Sequence, residues 1–132
     1  MPRYQSEHAA GIDLVAALDD PVVLLPLSRA AVPTGIAVEI PLGFEGQIRA
    51  RSGRALEEGL SLVNSPGTVD ADYRGEIKII LINLGQSPIT IKPWERIAQL
   101  IISPVAHAQL VQVEQLGTTT RGVGGLGHTG RS

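Results

Sequence analysis

Residues 64–83 read NSPGTVDADYRGEIKIILIN, a cluster of turn formers that runs straight into the most strand-like segment of the chain. Asn64 and Ser65 can hydrogen-bond their own backbone, Pro66 fixes φ and Gly67 tolerates φ > 0, so a tight loop is expected there. Thr68 and Val69 then begin a short β segment, and Asp70, Asp72, Tyr73 and Arg74 crowd its end. Gly75 releases the chain into residues 76–83, which are β-branched and apolar around one internal charge, Lys78, as in a strand covered on both faces. The stretch predicts a rigidly held hairpin with acids and an aromatic at its tip. Backbone N–H and C=O groups at fixed spacing suit the hydrogen-bonding edge of a small planar ring, a nucleobase above all. The plainer alternative is that the acids are solvated turn residues.

Outward from this hairpin the same short-strand character continues. Residues 12–17 form a first strand, VVLL between Pro21 and Pro26 a second, and IAVEI, after a turn at residues 32–35, a third. FEGQIRA alternates Phe44, Gly46, Ile48 and Ala50 against Glu45, Gln47 and Arg49, the period of a half-buried strand. One helix is expected, RALEEGL, with Ser52 as N-cap and Gly59 as its stop. LSLVN, ITI, RIAQLII up to Pro104 and QLVQV complete the strands. Many short strands separated by turn signals indicate an all-β sandwich or barrel. Gly recurs six times between residues 117 and 130 and apolar periodicity stops, so residues 1–116 are expected to form the body and residues 117–132 a flexible Gly-rich arm.

Bulk composition narrows the function. A chain of 132 residues suits one domain, and with 43% hydrophobic but only 3% aromatic residues its core must be aliphatic. Net charge is −2 with no basic run, which gives a nucleic acid polymer little electrostatic support but leaves a single nucleotide open. The absence of Cys removes disulfides and thiolate zinc sites, and the three His are too scattered for a metal motif. MPRYQSEH lacks the apolar core of a secretory signal, and every apolar run is broken before the ~20 residues that span a bilayer. No membrane partner is expected, and a cytoplasmic setting is compatible.

Several side chains outside the hairpin bear on chemistry. Arg51, Ser52 and Gly53 lie where a strand passes into a helix, so a charge, a hydroxyl and a free N–H converge as a polyphosphate needs; an ordinary N-cap beside a surface Arg has the same look. Gln99, neutral and polar in an apolar run, needs a partner if buried, either a ligand or a structural hydrogen bond. Asp13 could be a solvated strand residue. In the arm, GVGGLGHT mimics both G-x-x-x-x-G-x-T and G-x-G-x-x-G, but those phosphate cradles require a preceding strand and a following helix, for which the last residues leave no room. The remaining property is local: successive Gly N–H groups can curl around phosphate oxygens, with Arg121 adding a bidentate charge.

The hairpin resembles the third motif of the trimeric dUTP pyrophosphatases (dUTPases). Four more motifs follow the same order: AGIDL at residues 10–14, ARSGRA at 50–55, ERIAQL at 95–100 and RGVGGLGHTG at 121–130. Together they span nearly the whole chain. The resemblance implies a jelly-roll-like β fold, a homotrimer whose active sites each draw on three chains, and hydrolysis of dUTP to dUMP and pyrophosphate, which keeps uracil out of DNA and supplies dUMP. It implies Asp70 as general base for a water attacking the α-phosphate. Asn64, Gly67, Thr68 and Val69 would read uracil with Lys78 nearby, and Tyr73 would lie under the deoxyribose and exclude a 2′-hydroxyl. Arg51, Ser52, Gly53 and Gln99 would meet the phosphates, while Arg121, Leu126, Gly127 and His128 would close over the nucleotide. Asp13 would hold water on a Mg²⁺ chelated by the triphosphate. Two departures stand out: Leu126 replaces the usual Phe of the fifth motif, and Trp94-Glu95 replaces the usual Gly-Asp before the fourth. A dCTP deaminase shares the fold but carries a catalytic Glu where this chain has Ile80, and a non-catalytic nucleotide-binding module would not need Asp70, Arg51, Ser52, Gln99 and Arg121 intact.

Overall fold

The computed structural model describes residues 1–126, 128 and 129. In chain order its strands are Ile12–Val15 (β1), Val22–Leu24 (β2), Arg29–Pro33 (β3) and Phe44–Arg49 (β4), then Leu60–Leu62 (β5), Gly67–Val69 (β6), Lys78–Asn83 (β7), Ile89–Ile91 (β8) and Arg96–Pro104 (β9). One helix, Ser52–Glu58 (α1), interrupts them between β4 and β5. All pairings are antiparallel, in a four-stranded sheet ordered β1-β9-β4-β6, a three-stranded sheet β3-β7-β5 and the pair β2-β8.

Period-two patterning fills the space between the sheets. Leu14, Ile48, Ile97 and Leu100 come from the four-stranded sheet, Val32, Leu60, Ile79 and Leu81 from the three-stranded one, and Leu24, Ile89 and Ile91 from the pair. Each such burial contributes about 1.5–3 kcal/mol, and no aromatic ring is needed. Asn83 is fully buried among them and fully used: Nδ2 donates to the carbonyls of Leu24 (2.9 Å) and Ser87 (2.8 Å), and Oδ1 accepts from Gly85 N (2.8 Å). It ties the end of β7 to β2 and to the turn before β8.

Five sequence expectations change. The two halves of the expected hairpin do not pair: β6 lies on β4, whereas β7 sits between β3 and β5, so residues 70–77 carry the chain from one sheet to the other. Nor is β7 covered on both faces, for Ile79, Leu81 and Asn83 point inward while Lys78 and Ile80 are exposed. The third strand is Arg29–Pro33 rather than IAVEI. Strand β3 occupies that edge of β7, and beyond Gly35 (φ 68) the chain keeps only the bond from Ile77 N to Ile36 O. Ser52 is the first helical residue, not the cap; Arg51 holds the cap position in extended conformation without a side-chain bond, while Gly59 ends the helix in the left-handed region as expected. QLVQV forms no strand, because no ladder partner reaches it among the described residues, and Leu110, Val111 and Val113 are exposed. No helix of the described residues is long and apolar enough to cross a membrane.

Candidate active site

Where the chain crosses between sheets it leaves a cleft of about 360 Å³. Asn64, Gly67, Thr68, Val69, Asp70, Tyr73 and Lys78 all line it, so the structure gathers every site residue expected from the hairpin into one place. Local sequence explains the shape. Gly67 is buried, and a Cβ there would come within 3.2 Å of Asn64 Nδ2 and 3.3 Å of Ile48 Cβ, so glycine suits the close approach. Among the described residues strand β6 is the edge of its sheet, paired only with β4, so its outer N–H and C=O groups can face the cleft.

The loop behind the cleft is closely tied. Tyr73 N donates to Asp70 O (3.1 Å), Tyr73 Oη to Glu76 O (3.0 Å) and Arg74 Nη1 to Ala71 O (2.7 Å). Glu76 Oε1 in turn accepts from Gly35 N at 2.8 Å, anchoring the loop to the end of β3. Gly75 leaves room for the Tyr73 phenol in this fold-back, since a Cβ on it would run into that ring and displace it. Glu76 was not singled out from the sequence; its place three residues after Tyr73 carries no motif of its own.

A second group of expected residues meets on the four-stranded sheet. Asp13 pairs across the ladder with Gln99, and Gln99 with Arg49. Gln99 Nε2 donates to Ala50 O (3.0 Å), so its amide has a structural hydrogen bond, and Gly11 leaves the space its Oε1 occupies. The Asp13 carboxylate lies between two guanidiniums, Arg51 Nε at 3.4 Å and Arg96 Nη1 at 2.9 Å, and Arg51 Nη1 also donates to Arg96 O (3.2 Å). Arg96 is a member of this cluster that the sequence reading missed; the signal was a half-buried Asp13 needing a counter-charge. Asp13 and Arg96 also border a cavity of about 420 Å³ with Thr34, Ile36 and Trp94. Ser52 and Gly53 are exposed in the first turn of α1, and nothing lies within 4 Å of where a Gly53 Cβ would be, so the chain's own packing does not demand glycine there.

Among the described residues no hydrogen bond or ion pair joins these two groups. The ladder row through Asp13, Gln99 and Arg49 adjoins the row through Ile12, Leu100, Ile48 and Gly67, which places Asp13 and Gly67 three strand spacings apart, about 14 Å. The described residues of the arm meet neither: Arg121 spends its guanidinium on the carbonyls of Gly124 (2.8 Å) and Gly125 (3.4 Å), His128 N bonds Gly125 O, and Leu126 is fully exposed. Gly127 lies outside the described residues. Among the described residues no group of three or more His, Cys, Asp or Glu could hold a metal ion by itself.

Trp94 and Glu95 shape the turn before β9. Trp94 has φ 63, a conformation that favours glycine and accords with the Gly usual at that motif position. Glu95 reaches the largely buried Arg54 of α1 at 3.4 Å. Burial works against the Arg54 charge, but its hydrogen bonds to Glu58 and the attraction of the Glu95 and Glu58 carboxylates outweigh it and raise its pKa.

The chain matches the family model for dUTPase over residues 1–130. The deoxyuridine 5′-triphosphate nucleotidohydrolase of Syntrophotalea carbinolica is 57% identical over 98% of this chain and 88% of its own length, and that of Chlamydia pneumoniae is 54% identical over 100% and 92%. Among solved structures, the dUTPase of Staphylococcus bacteriophage 80alpha with dUPNHPP superposes with a TM-score of 0.89 at 30% identity, covering 99% of this chain and 92% of that one. A mutant dUTPase from phage phi11 of S. aureus, described for its coordination of a structural Mg(II) ion, gives 0.78 at 28% identity over 87% and 90%. With its all-β body, single short helix and five ordered motifs, the chain belongs to the dUTPase family and has that family's jelly-roll-like fold.

Proposed function

We propose that this chain hydrolyses dUTP to dUMP and pyrophosphate, with the uracil and deoxyribose in the cleft beside β6 and the phosphates toward Arg51 and Asp13. The observation that carries it is the gathering of Asn64, Gly67, Thr68, Val69, Asp70, Tyr73 and Lys78 around one cleft at a free strand edge. Edge amides and carbonyls can pair with a pyrimidine ring, the Tyr73 ring closes the sugar side, and Asp70 stands at the end of β6 to take the proton of a water attacking the α-phosphate. Arg51, with Ser52, Gly53 and Gln99 around it, stabilises charge on the phosphates. Pyrophosphate release measured across dUTP, dCTP, dTTP and UTP tests the reading. Preference for dUTP is expected, and release of ammonia from dCTP would replace it with deamination.

Magnesium enters as part of the substrate. Asp13 already faces two arginines, yet its carboxylate has lone pairs to spare for a metal-bound water. One such carboxylate fits an ion that arrives on the triphosphate and keeps its waters. When bound, Mg²⁺ neutralises phosphate charge.

A homotrimer with shared sites accounts for two observations. Asp13 of the cluster and Gly67 of the cleft lie about 14 Å apart on one chain, and apolar Leu110, Val111, Val113 and Leu116 are exposed after β9, available to a neighbouring copy. In this assembly residues 1–116 form the body and residues 117–132 the arm, which brings Arg121, Leu126, Gly127 and His128 over a bound nucleotide. The charge balance and lack of Cys suit a cytoplasmic enzyme acting on free nucleotides.

Two substitutions probe the nucleoside end. Tyr73→Ala should raise UTP turnover relative to dUTP, and Gly75→Ala, by displacing the phenol, should do so in part. An unchanged UTP/dUTP ratio in both would remove Tyr73 from sugar discrimination. Leu126→Phe should lower the dUTP KM several-fold, as about 1 kcal/mol of added stacking gives, with kcat little changed; an unaltered KM would take Leu126 off the uracil.

A further inference from the structure

Helix α1 begins at the phosphate-side residues Arg51, Ser52 and Gly53, yet none of its residues is fully buried. Short helices are ordinarily held by an apolar face. This one is held by charge. Arg54, with only 11% of its side chain exposed, makes a bidentate pair with Glu58 of the same helix (Nε–Oε1 2.9 Å, Nη2–Oε2 2.7 Å), and its Nη1 lies 3.4 Å from Glu95 Oε2. That Nη1 is buried without a hydrogen-bond partner, so Glu95 is the carboxylate that answers it.

Glu95 is itself fixed in the turn between β8 and β9, where its Oε2 accepts from Lys92 N (2.9 Å) and its carbonyl from Ala16 N (2.8 Å). The next residue, Arg96, bonds Asp13, and Arg96 O accepts from Arg51, the residue that caps α1. A closed circuit results, from Arg54 through Glu95 and Arg96 to Arg51 and back along the helix. We propose that Arg54 and Glu95 form a positioning clasp that sets Arg51 and the first turn of α1 against the phosphates of dUTP. Neither residue touches substrate. The proposal rests on the phosphate-side reading of Arg51.

Kinetics of the full-length enzyme test it with Arg54→Met, Glu95→Gln and the double variant. Each should raise the dUTP KM and the inhibition constant of pyrophosphate by about tenfold, the change that 1.4 kcal/mol gives, while kcat stays within about twofold and the dUMP inhibition constant holds. The double variant should be no worse than either single one, because both break the same link. Glu95→Asp, which keeps the charge, should recover most of the affinity. Parallel weakening of dUMP and dUTP would mean general loosening and overturn the clasp, as would unchanged constants in all three variants. Arg51→Ala separates the two levels. If it raises the dUTP KM while the clasp variants do not, only the clasp fails; if it leaves the KM unchanged, the phosphate reading fails and the clasp with it.

Discussion

Asp70→Asn is expected to cut kcat by roughly two to four orders of magnitude, the range of a lost general base, while leaving nucleotide affinity nearly intact. Asp70 follows the last residue of β6, lines the cleft with Tyr73 and Lys78, and has its own carbonyl pinned by Tyr73 N. Its carboxylate accepts no protein hydrogen bond or ion pair among the described residues, so the amide replacement breaks nothing that holds the loop. Asn has the same shape and can still orient a water, but it cannot take the proton. Steady-state kcat together with binding of dUMP or a non-hydrolysable dUTP analogue checks the split. Near-normal turnover would show that another group does the work, and lost binding would make Asp70 a binding residue.

Deleting residues 117–132 should lower kcat/KM by roughly 10²-fold or more, the scale of removing one preorganised charge-stabilising group, with hardly any change in melting temperature. The reason for the second half lies in the core, whose last buried hydrophobic is Leu100. Among the described residues Arg121 bonds only within its own loop and Leu126 touches no core, so neither contributes to the body. The activity loss follows from removing Arg121 and a cover that would exclude water from the phosphates. Thermal melts and initial rates on the truncated chain decide it. A truncated protein that unfolds would make the arm structural, and one that retains full activity would make it dispensable.

Strand positions were legible because Pro and Gly punctuate a period-two pattern, and β1, β2, β4, β8 and β9 fall where that pattern puts them. Pairing was less legible. Neighbours in sequence usually neighbour in space, which made a hairpin of residues 67–83, but residues 70–77 form a crossing between sheets rather than a hairpin turn. IAVEI and QLVQV have strand composition and no ladder, since a strand belongs to a pair and its partner is not written in its own residues. The cleft was readable because the seven residues expected in it sit within fifteen positions of one another, from Asn64 to Lys78, although Ile48 of β4 also lines it. Arg96 on Asp13 and Glu95 on Arg54 were not, because side chains 83 and 41 positions apart become neighbours only once β9 lies beside β1 and α1 has folded back.

The turn before β9 has one more use. Trp94 is the only tryptophan in the chain, 69% exposed, and borders the same cavity as Asp13 and Arg96. Its indole therefore acts as an optical probe that the protein carries by itself, sensitive to charge and water beside the Asp13–Arg96 pair. Emission changes on rapid mixing with pyrophosphate would originate at that turn alone, because the two tyrosines can be avoided by exciting the indole selectively. In a stopped-flow trace the arrival of phosphates at the site proposed for them could thus be timed without any label, separately from the docking of the base at the cleft proposed for it.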